Sequence, residues 1–391
     1  MYDHRKVAIV GVGVSEIKRR SERTIGQLAL EACRGAIEDA GLGVEAIDGI
    51  SNYAKSSRPF TDKQVDGVDL VSAEYLSQAL GLDALNWACA VDRGTVTAAL
   101  VEAVHALASG ACRYVLVWRA MRNPPGSYGR RGYDEVRGDD QFSIPWGFGH
   151  NTIGFALAYS RYMAKYGATR EHMAAFIERN RRNAARNPNA VFFEKPIVRA
   201  DYLESKMIAD PICILDCDMP VDGCGAFVLT TADRAADLRR PPVFVTGTSS
   251  FTMPPRRAIV PTLEDAVTSA GRLARALWAS AGSSPNEITH LHLYDGISWF
   301  VYVYLEAFGM VAEGEAFRML QEDRTEWDGP LPLNTGGGAL GMGRMHGIPQ
   351  ILEAVLQIQG RAGARQIADP SAALVCSGQP ARGAAAITLS A

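Results

Sequence analysis

One α/β pattern is written twice along this chain, and that duplication restricts the possible folds more than any other feature. Residues 7 to 50 run as an apolar stretch (VAIVGVG), an amphipathic helix (TIGQLALEACRGAIEDAG) and a second apolar stretch (VEAIDGI). Residues 243 to 295 repeat that order with VFVTGTSS, TLEDAVTSAGRLARALWASAG and NEITHLHLYD. Ala40-Gly41 and Ala281-Gly282 close the two helices 241 residues apart, glycine being suited to the left-handed residue after a last turn. Each copy continues with a helix and a β-rich run, VEAVHALASGACRYVLVWRAM in the first and ILEAVLQIQGRAGARQ with AALVCSGQ in the second. Each ends on a strand, CGAFVLTT or RGAAAITLS. The expected fold is therefore α/β, with duplicated βαβαββ-type halves over residues 1–235 and 236–391.

The first copy carries an excursion over about residues 121–205. It opens with the arginine-rich RNPPGSYGRRGYDEVRGDDQ and continues into two stretches of helical period, FALAYSRYMAKYG and TREHMAAFIERNRRNAARNPNA. Thr169 opens the second of these and Asn187-Pro188 ends it. An insertion of this size with its own helices reads as a lid or cap.

Bulk properties exclude several function classes. A net charge of -3 over 391 residues gives no electrostatic case for nucleic acid or an anionic membrane. A small acidic metabolite needs only one local basic pocket. No apolar run approaches the 18 to 20 residues of a membrane span, and the N-terminus lacks a signal-like apolar core, so a soluble cytoplasmic protein is expected. Seven scattered cysteines argue for reduced thiols. Cys213, Cys217 and Cys224 cluster without a CxxC, which points to core thiols rather than a metal site. Gly11 and Gly13 form a GxG after the first strand, but the third glycine of a dinucleotide fingerprint is missing.

Four stretches carry a resemblance to the thiolase superfamily: NWACAVDRGTVTAALVEAVHALASGACRYVLV, HLYDGIS, NTGGGALGMGRMHG and LVCSGQPARGAAAITLS. LYDGISWFVYVYLEAFGMVAEGEAF, LPLNTGGGALG and PQILEAVLQIQGRAGARQI are most similar to its lipid-transfer-protein-like branch, which includes aldolases that cleave steroid side chains as coenzyme A thioesters. The resemblance covers essentially the whole chain and implies a thiolase-like fold, layered α-β-α-β-α, with a capping loop insertion. It also implies a homodimer and a small OB-fold, zinc-ribbon acyl-CoA-binding partner in a heteromeric complex. Coenzyme A arrives with the substrate, so no tightly bound cofactor and no metal are expected.

Set against the thiolase pattern, the acyl-transfer groups are replaced. The nucleophile position, seventeen residues before Gly110, is Arg93, and Cys89 lies four residues too early. The first catalytic histidine is Tyr294; the second, ten residues after Asn334, is Arg344, with His346 two further on. Only Cys376 falls where a thiolase cysteine belongs. Loss of nucleophile and both histidines argues against a covalent acyl-enzyme. A phenol at position 294 matches what the aldolase branch uses, so Tyr294 is the expected acid-base group of a retro-aldol cleavage. The branch often carries a second tyrosine where this chain has Arg344, which leaves Arg344 an electrostatic role: holding an oxyanion or lowering the Tyr294 pKa.

The remaining candidates keep two readings each. Asp295 caps the following helix or orients Tyr294, and periodicity alone reads Tyr294-Asp295-Gly296 as a turn equivalent to Ile47-Asp48-Gly49. His346 is structural or part of the site. Asn334, Gly337, Gly338 and Arg93 are the expected thioester contacts, with the amides of Thr335 to Gly338 as enolate donors. Arg130, Arg131 and Arg137 meet coenzyme A phosphates or form a solvated loop. His290 and His292 alternate with apolar residues and read as strand-face groups. Two other functions stay open: a non-catalytic lipid or acyl-CoA-binding subunit, and an acyltransferase using Cys89 with Cys376.

Overall fold

The computed structural model describes residues 6–53, 70–123, 136–148, 151–250 and 260–391. The first copy runs β1 (Val7–Val14), α1 (Ile25–Ala40), β2 (Gly49–Tyr53), α2 (Ala73–Leu80), β3 (Trp87–Val91), α3 (Thr95–Ser109) and β4 (Tyr114–Met121). The insertion follows as α4 (Asn151–Tyr166), α5 (Arg170–Ala185), α6 (Arg199–Leu203) and the hairpin β5 (Met207–Ala209) and β6 (Ile212–Cys213). The copy then closes with β7 (Gly223–Thr231) and α7 (Ala232–Ala235). The second copy runs β8 (Val243–Ser250), α8 (Leu263–Ala281), β9 (His290–Leu293), α9 (Phe300–Ala307), α10 (Ala316–Met319), α11 (Gly338–Met342), α12 (Ile348–Ile358), β10 (Ala372–Gln379) and β11 (Gly383–Ser390). The helix and strand α2 and β3 are additions to the βαβαββ pattern.

The strands hydrogen-bond in the order β3-β2-β4-β7-β1-β8-β11-β10-β9. That order is a pseudo-twofold about its centre: β2 and β4 are parallel, as are β9 and β10, and β7 and β11 run antiparallel inside each half. The halves meet through the antiparallel pair β1–β8 at Ala8↔Phe244 and Ile9↔Val243. At the far edge the counterpart of β3 shrinks to a parallel bridge, Leu291↔Leu333.

Side-chain alternation turns this sheet order into layers. Ala8, Val10, Leu116 and Val228 face α1 and α2 on one outside. Val7, Ile9, Val117 and Phe227 face inward onto α3 and α12, whose Val96, Leu100, Ile351 and Val355 also meet Val243, Val375 and Ile387 of the other half-sheet. Leu291, Leu374 and Ala386 look to the far outside, against α8, α9 and the inserted α4 and α5. Helices lie outside, between and outside again, the expected α-β-α-β-α arrangement. A Cβ on Gly11 or Gly13 would overlap the Ala36 or Ala32 carbonyl. The VGVG run therefore lets α1 lie close on β1, which accounts for those glycines without a nucleotide. Among the described residues no helix is long and apolar enough to cross a membrane.

The structure corrects the internal alignment at one point. Asp48 stands before β2: its N–H donates to Tyr114 O at 3.2 Å and its Oδ1 accepts from Tyr114 N at 2.8 Å. In the second copy those contacts belong to Thr289, with Ala372 O at 2.9 Å and Ala372 N at 3.1 Å. Asp48 is thus equivalent to Thr289, not to Asp295, which follows the end of β9. The 241-residue offset read from the helix ends holds through this stretch, and it superposes Tyr53, the last residue of β2, on Tyr294.

Candidate active site

The candidate groups gather where β2, β4 and β9 end, around the loop 334–347. In open α/β sheets the C-terminal strand ends leave such a crevice. The loop is tied to β9 first. Asn334, at φ 49°, accepts the Leu293 N–H on Oδ1 at 2.9 Å and donates from Nδ2 to Leu293 O at 3.0 Å. Asn334 thus holds the loop against the strand through its carbonyl oxygen and one of its two amide hydrogens. Gly337 and Gly338 have φ of 92° and 58°. A Cβ on Gly338 would overlap the Asp295 carboxylate, and one on Gly337 would press on Ala184 of α5. Their role is this close approach, with the loop packed against α5.

Asp295 is fully buried and caps a different helix from the one expected. Its Oδ1 accepts from Ala339 N at 2.6 Å and Gln350 Nε2 at 3.0 Å; its Oδ2 accepts from Asn180 Nδ2 at 2.8 Å and Leu340 N at 3.4 Å. The capped helix is α11. α9 begins at Phe300 without a side-chain cap, because the intervening chain is drawn aside: Gly296 O accepts from Asp218 N at 3.1 Å, and Ile297 bridges Cys217. Burial pushes the Asp295 pKa from an ordinary 3.8 up to about 7, against the pull of the four donors and with a push from Asp218.

Tyr294 stacks on Phe300 at 6.4 Å between centroids and 24° between planes, and is 6 % exposed. Its phenol lies over Gly296, where a side chain would overlap it. Burial holds the phenol pKa well above 10; Asp218 and Asp295 push the same way, and Arg344 pulls it down. Arg344 forms an ion pair with Asp218, Nε to Oδ1 3.2 Å, the carboxylate side chain being 1 % and the guanidinium 20 % exposed. The cation that favours a phenolate therefore brings with it an anion that opposes one.

Across the same loop stands a second aromatic group. Tyr53 lies with its ring 5.8 Å from that of His346. The Arg119 guanidinium, rooted on β4 and 3 % exposed, sits 4.6 Å from the Tyr53 ring centroid and donates to the Tyr53 carbonyl. Burial pushes Arg119 down to about 10. His346 has φ 46°, and its buried Nδ1 meets no hydrogen-bond partner among the described residues. Burial, then Arg119 and Arg344, hold its imidazole well below the usual range, so it is neutral at pH 7. Arg93 precedes α3, its Nη1 3.5 Å from Arg382 O, within electrostatic reach of Tyr53 and away from the glycine turn.

The thiols are not activated. Cys89 lies on β3 opposite Ser51, and burial raises its pKa. Cys376 is buried on β10 and also raised by burial. At the start of α3 stands Thr95 at φ 65°, its hydroxyl packed with those of Ser377 and, through it, Thr97. His290 and His292 are buried on one face of β9 and hydrogen-bond each other at 2.9 Å; burial lowers both, His290 to about 4. Among the described residues no three His, Cys, Asp or Glu side chains converge as metal ligands. Arg137 is exposed; Arg130 and Arg131 lie outside the described residues.

The structure thus brings together Tyr294, Asp295, Arg344 and His346, leaves Asn334, Gly337 and Gly338 as the frame beneath them, and sets Arg93 at the Tyr53 side. Sequence reasoning missed Tyr53, Arg119, Asp218 and Asn180. The 241-residue offset, carried past the helix ends, was the signal for Tyr53; the other three had none.

Comparison with known proteins agrees with the fold and the family resemblance. The family described as Thiolase C-terminal domain-like matches residues 257–389. The chain is 32 % identical to a 17-hydroxy-3-oxo-4-pregnene-20-carboxyl-CoA lyase of Mycobacterium tuberculosis, over 91 % of this chain and 92 % of that protein. It is 31 % identical to a steroid side-chain-cleaving aldolase of Thermomonospora curvata, over 95 % and 94 %. Among solved structures, the Ltp2-ChsH2(DUF35) aldolase superposes with a TM-score of 0.87 at 29 % identity, covering 99 % of this chain and 98 % of that one.

Proposed function

We propose, from the premise that this chain belongs to the thiolase superfamily in its lipid-transfer-protein-like branch with the steroid side-chain-cleaving aldolases, that it cleaves a β-hydroxyacyl-CoA thioester by a retro-aldol reaction. The observation that carries the reading is Tyr294: a phenol at the end of β9, in the field of the Arg344 guanidinium, in a protein whose two candidate nucleophiles, Cys89 and Cys376, have thiol pKa values raised by burial. A thiolate-dependent acyl transfer has no activated nucleophile there. A base acting on a hydroxyl needs none.

In the reacting state Tyr294 is the phenolate and takes the proton of the β-hydroxyl. The electron pair of that O–H bond forms the new carbonyl, the Cα–Cβ bond breaks, and its pair passes into the thioester as an enolate. Arg344 offsets the phenolate charge, and Asp218 fixes the guanidinium beside it. Asp295, held by four donors, keeps α11 and the loop in place without touching substrate.

The substrate class follows the relatives: a bulky side chain carried as a coenzyme A ester, for which 17-hydroxy-3-oxo-4-pregnene-20-carboxyl-CoA is the first to try. The composite name of the Ltp2-ChsH2(DUF35) aldolase supports a small partner subunit, for which the OB-fold, zinc-ribbon class is our reading. A homodimer through the β3 edge completes the proposed assembly. The test is incubation of the chain, with and without such a partner, with steroid-acyl and short β-hydroxyacyl thioesters, and mass spectrometry for ketone and shortened thioester. Cleavage by Tyr294→Phe at the wild-type rate would remove the proposed base.

A further inference from the structure

Retro-aldol cleavage requires two proton transfers at two atoms: one from the β-oxygen, one to the α-carbon of the enolate. Tyr294 accounts for the first. We propose that Tyr53 is the second catalytic phenol and protonates that α-carbon, an assignment that rests on the lyase reading above.

Three observations converge on Tyr53. The duplication places it where the second copy has Tyr294: the helix ends, the turns before β2 and β9, and the Asp48 and Thr289 hydrogen bonds all keep one 241-residue offset. Tyr53 and Tyr294 also flank one short stretch of the loop, Tyr53 against His346 and Tyr294 in the field of Arg344, two residues away. They approach it from opposite halves of the molecule, Tyr53 at the end of β2 and Tyr294 just after β9. Finally, a cation stands beside Tyr53. The Arg119 guanidinium lies under its ring; burial, the largest cause, and Asp92 hold the phenol pKa above its usual 10, while Arg119 and Arg93 pull it back down.

The proton balance closes within the site. The Tyr53 Oη–H bond breaks, a Cα–H bond forms using the enolate electron pair, and a Tyr53 phenolate remains beside Arg119. The proton that Tyr294 took from the β-hydroxyl returns to Tyr53 through solvent, which restores both groups. Net, one proton has moved from oxygen to carbon. At the position where the branch often has its second tyrosine this chain has Arg344, which cannot donate a proton at neutral pH. Tyr53 supplies the missing donor from the other half.

The experiment uses Tyr53→Phe and Tyr294→Phe, with any required partner present. The phenylalanine keeps the ring against His346 and Arg119 and removes only the hydroxyl. Cleavage by Tyr53→Phe is expected to fall about 100-fold or more in kcat with little change in KM. The second readout needs no ketone: in D2O the wild type exchanges the α-hydrogens of propanoyl-CoA, the thioester that loss of a 20-carboxyl side chain leaves. Tyr53→Phe loses that exchange and Tyr294→Phe retains it. Exchange by Tyr53→Phe at the wild-type rate, or a wild type that cleaves without exchanging, would overturn the Tyr53 assignment and leave the lyase reading intact. A wild type that exchanges but cleaves no hydroxyacyl thioester would sink the lyase reading, and with it the step assigned to Tyr53.

Discussion

Asp295→Asn tests whether the burial of one carboxylate governs the pH dependence of the folded site. In the folded chain the Asp295 proton is held up to about pH 7, against an ordinary 3.8. Below about pH 4 both folded and unfolded chains carry it. Between the two values the unfolded chain has released it and the folded chain has not. This contribution to stability is therefore complete at low pH and is lost as pH rises through 7. Each unit costs about 1.4 kcal/mol, so the interval amounts to roughly 4 kcal/mol. Asparagine does not titrate and forfeits this term. Its amide fits the site at modest expense, because Asn180 carries a buried, unpartnered Oδ1 that can be turned to accept from it. Only the 3.4 Å bond from Leu340 N then goes unmade, a loss of about 1 kcal/mol. Denaturant unfolding of both proteins from pH 4 to 8 gives a difference curve, wild type minus variant, that should fall by about 4 kcal/mol and then level. A curve flat across this range would refute the reasoning, since it would mean that the four donors already offset the cost of burying the charge.

Other consequences follow from the same geometry. Because burial holds the Tyr294 phenol above its usual range, the phenolate fraction rises tenfold per pH unit, and log kcat/KM for cleavage should climb with slope near one from about pH 7 to 9; a plateau from pH 7 would contradict it. Arg344→Met removes the guanidinium paired with the Asp218 carboxylate, which is 1 % exposed, and should destabilise the chain by about 2–4 kcal/mol in denaturant unfolding, with Asp218→Asn in the same chain restoring much of that. Cys89→Ser should leave cleavage within about threefold of wild type, since that thiol is raised rather than lowered; an acyl group found on Cys89 by mass spectrometry would favour acyl transfer instead.

The layered fold was legible because it depends on periodicity, and periodicity survives in a single sequence. Alternation along VAIVGVG and AALVCSGQ marks both faces of a buried strand, and the repeat reports two such units. The strand β3 was harder to see, since WACAV is a half-exposed edge with no partner of equal length in the second copy. At the site, Tyr294 and Arg344 stood in motifs whose spacing could be counted. Asp218 did not, because what matters is an ion pair across 126 residues, and no local pattern encodes it. The loop-tying contacts of Asn334 were hidden for a similar reason: their partner lies on a strand 41 residues away. Asp48 and Asp295 looked alike because each is followed by glycine, whereas the hydrogen bonds at the two strand ends differ.

The inserted helix α5 presents Asn180 and Asn183, and the turn just after it Asn187, bonded to Asp295, to the carbonyls of residues 333 and 334, and to Gly336. These are contacts made by the first copy to the loop of the second. The C-terminal half therefore anchors this loop to β9 by itself but takes part of the loop's support from the other half. Tyr294 is local, but part of the scaffold around it is borrowed. Severing the chain between the halves would leave a well-patterned α/β unit whose glycine loop keeps its tie to β9 but loses the three asparagines, so the framework of the site is joint.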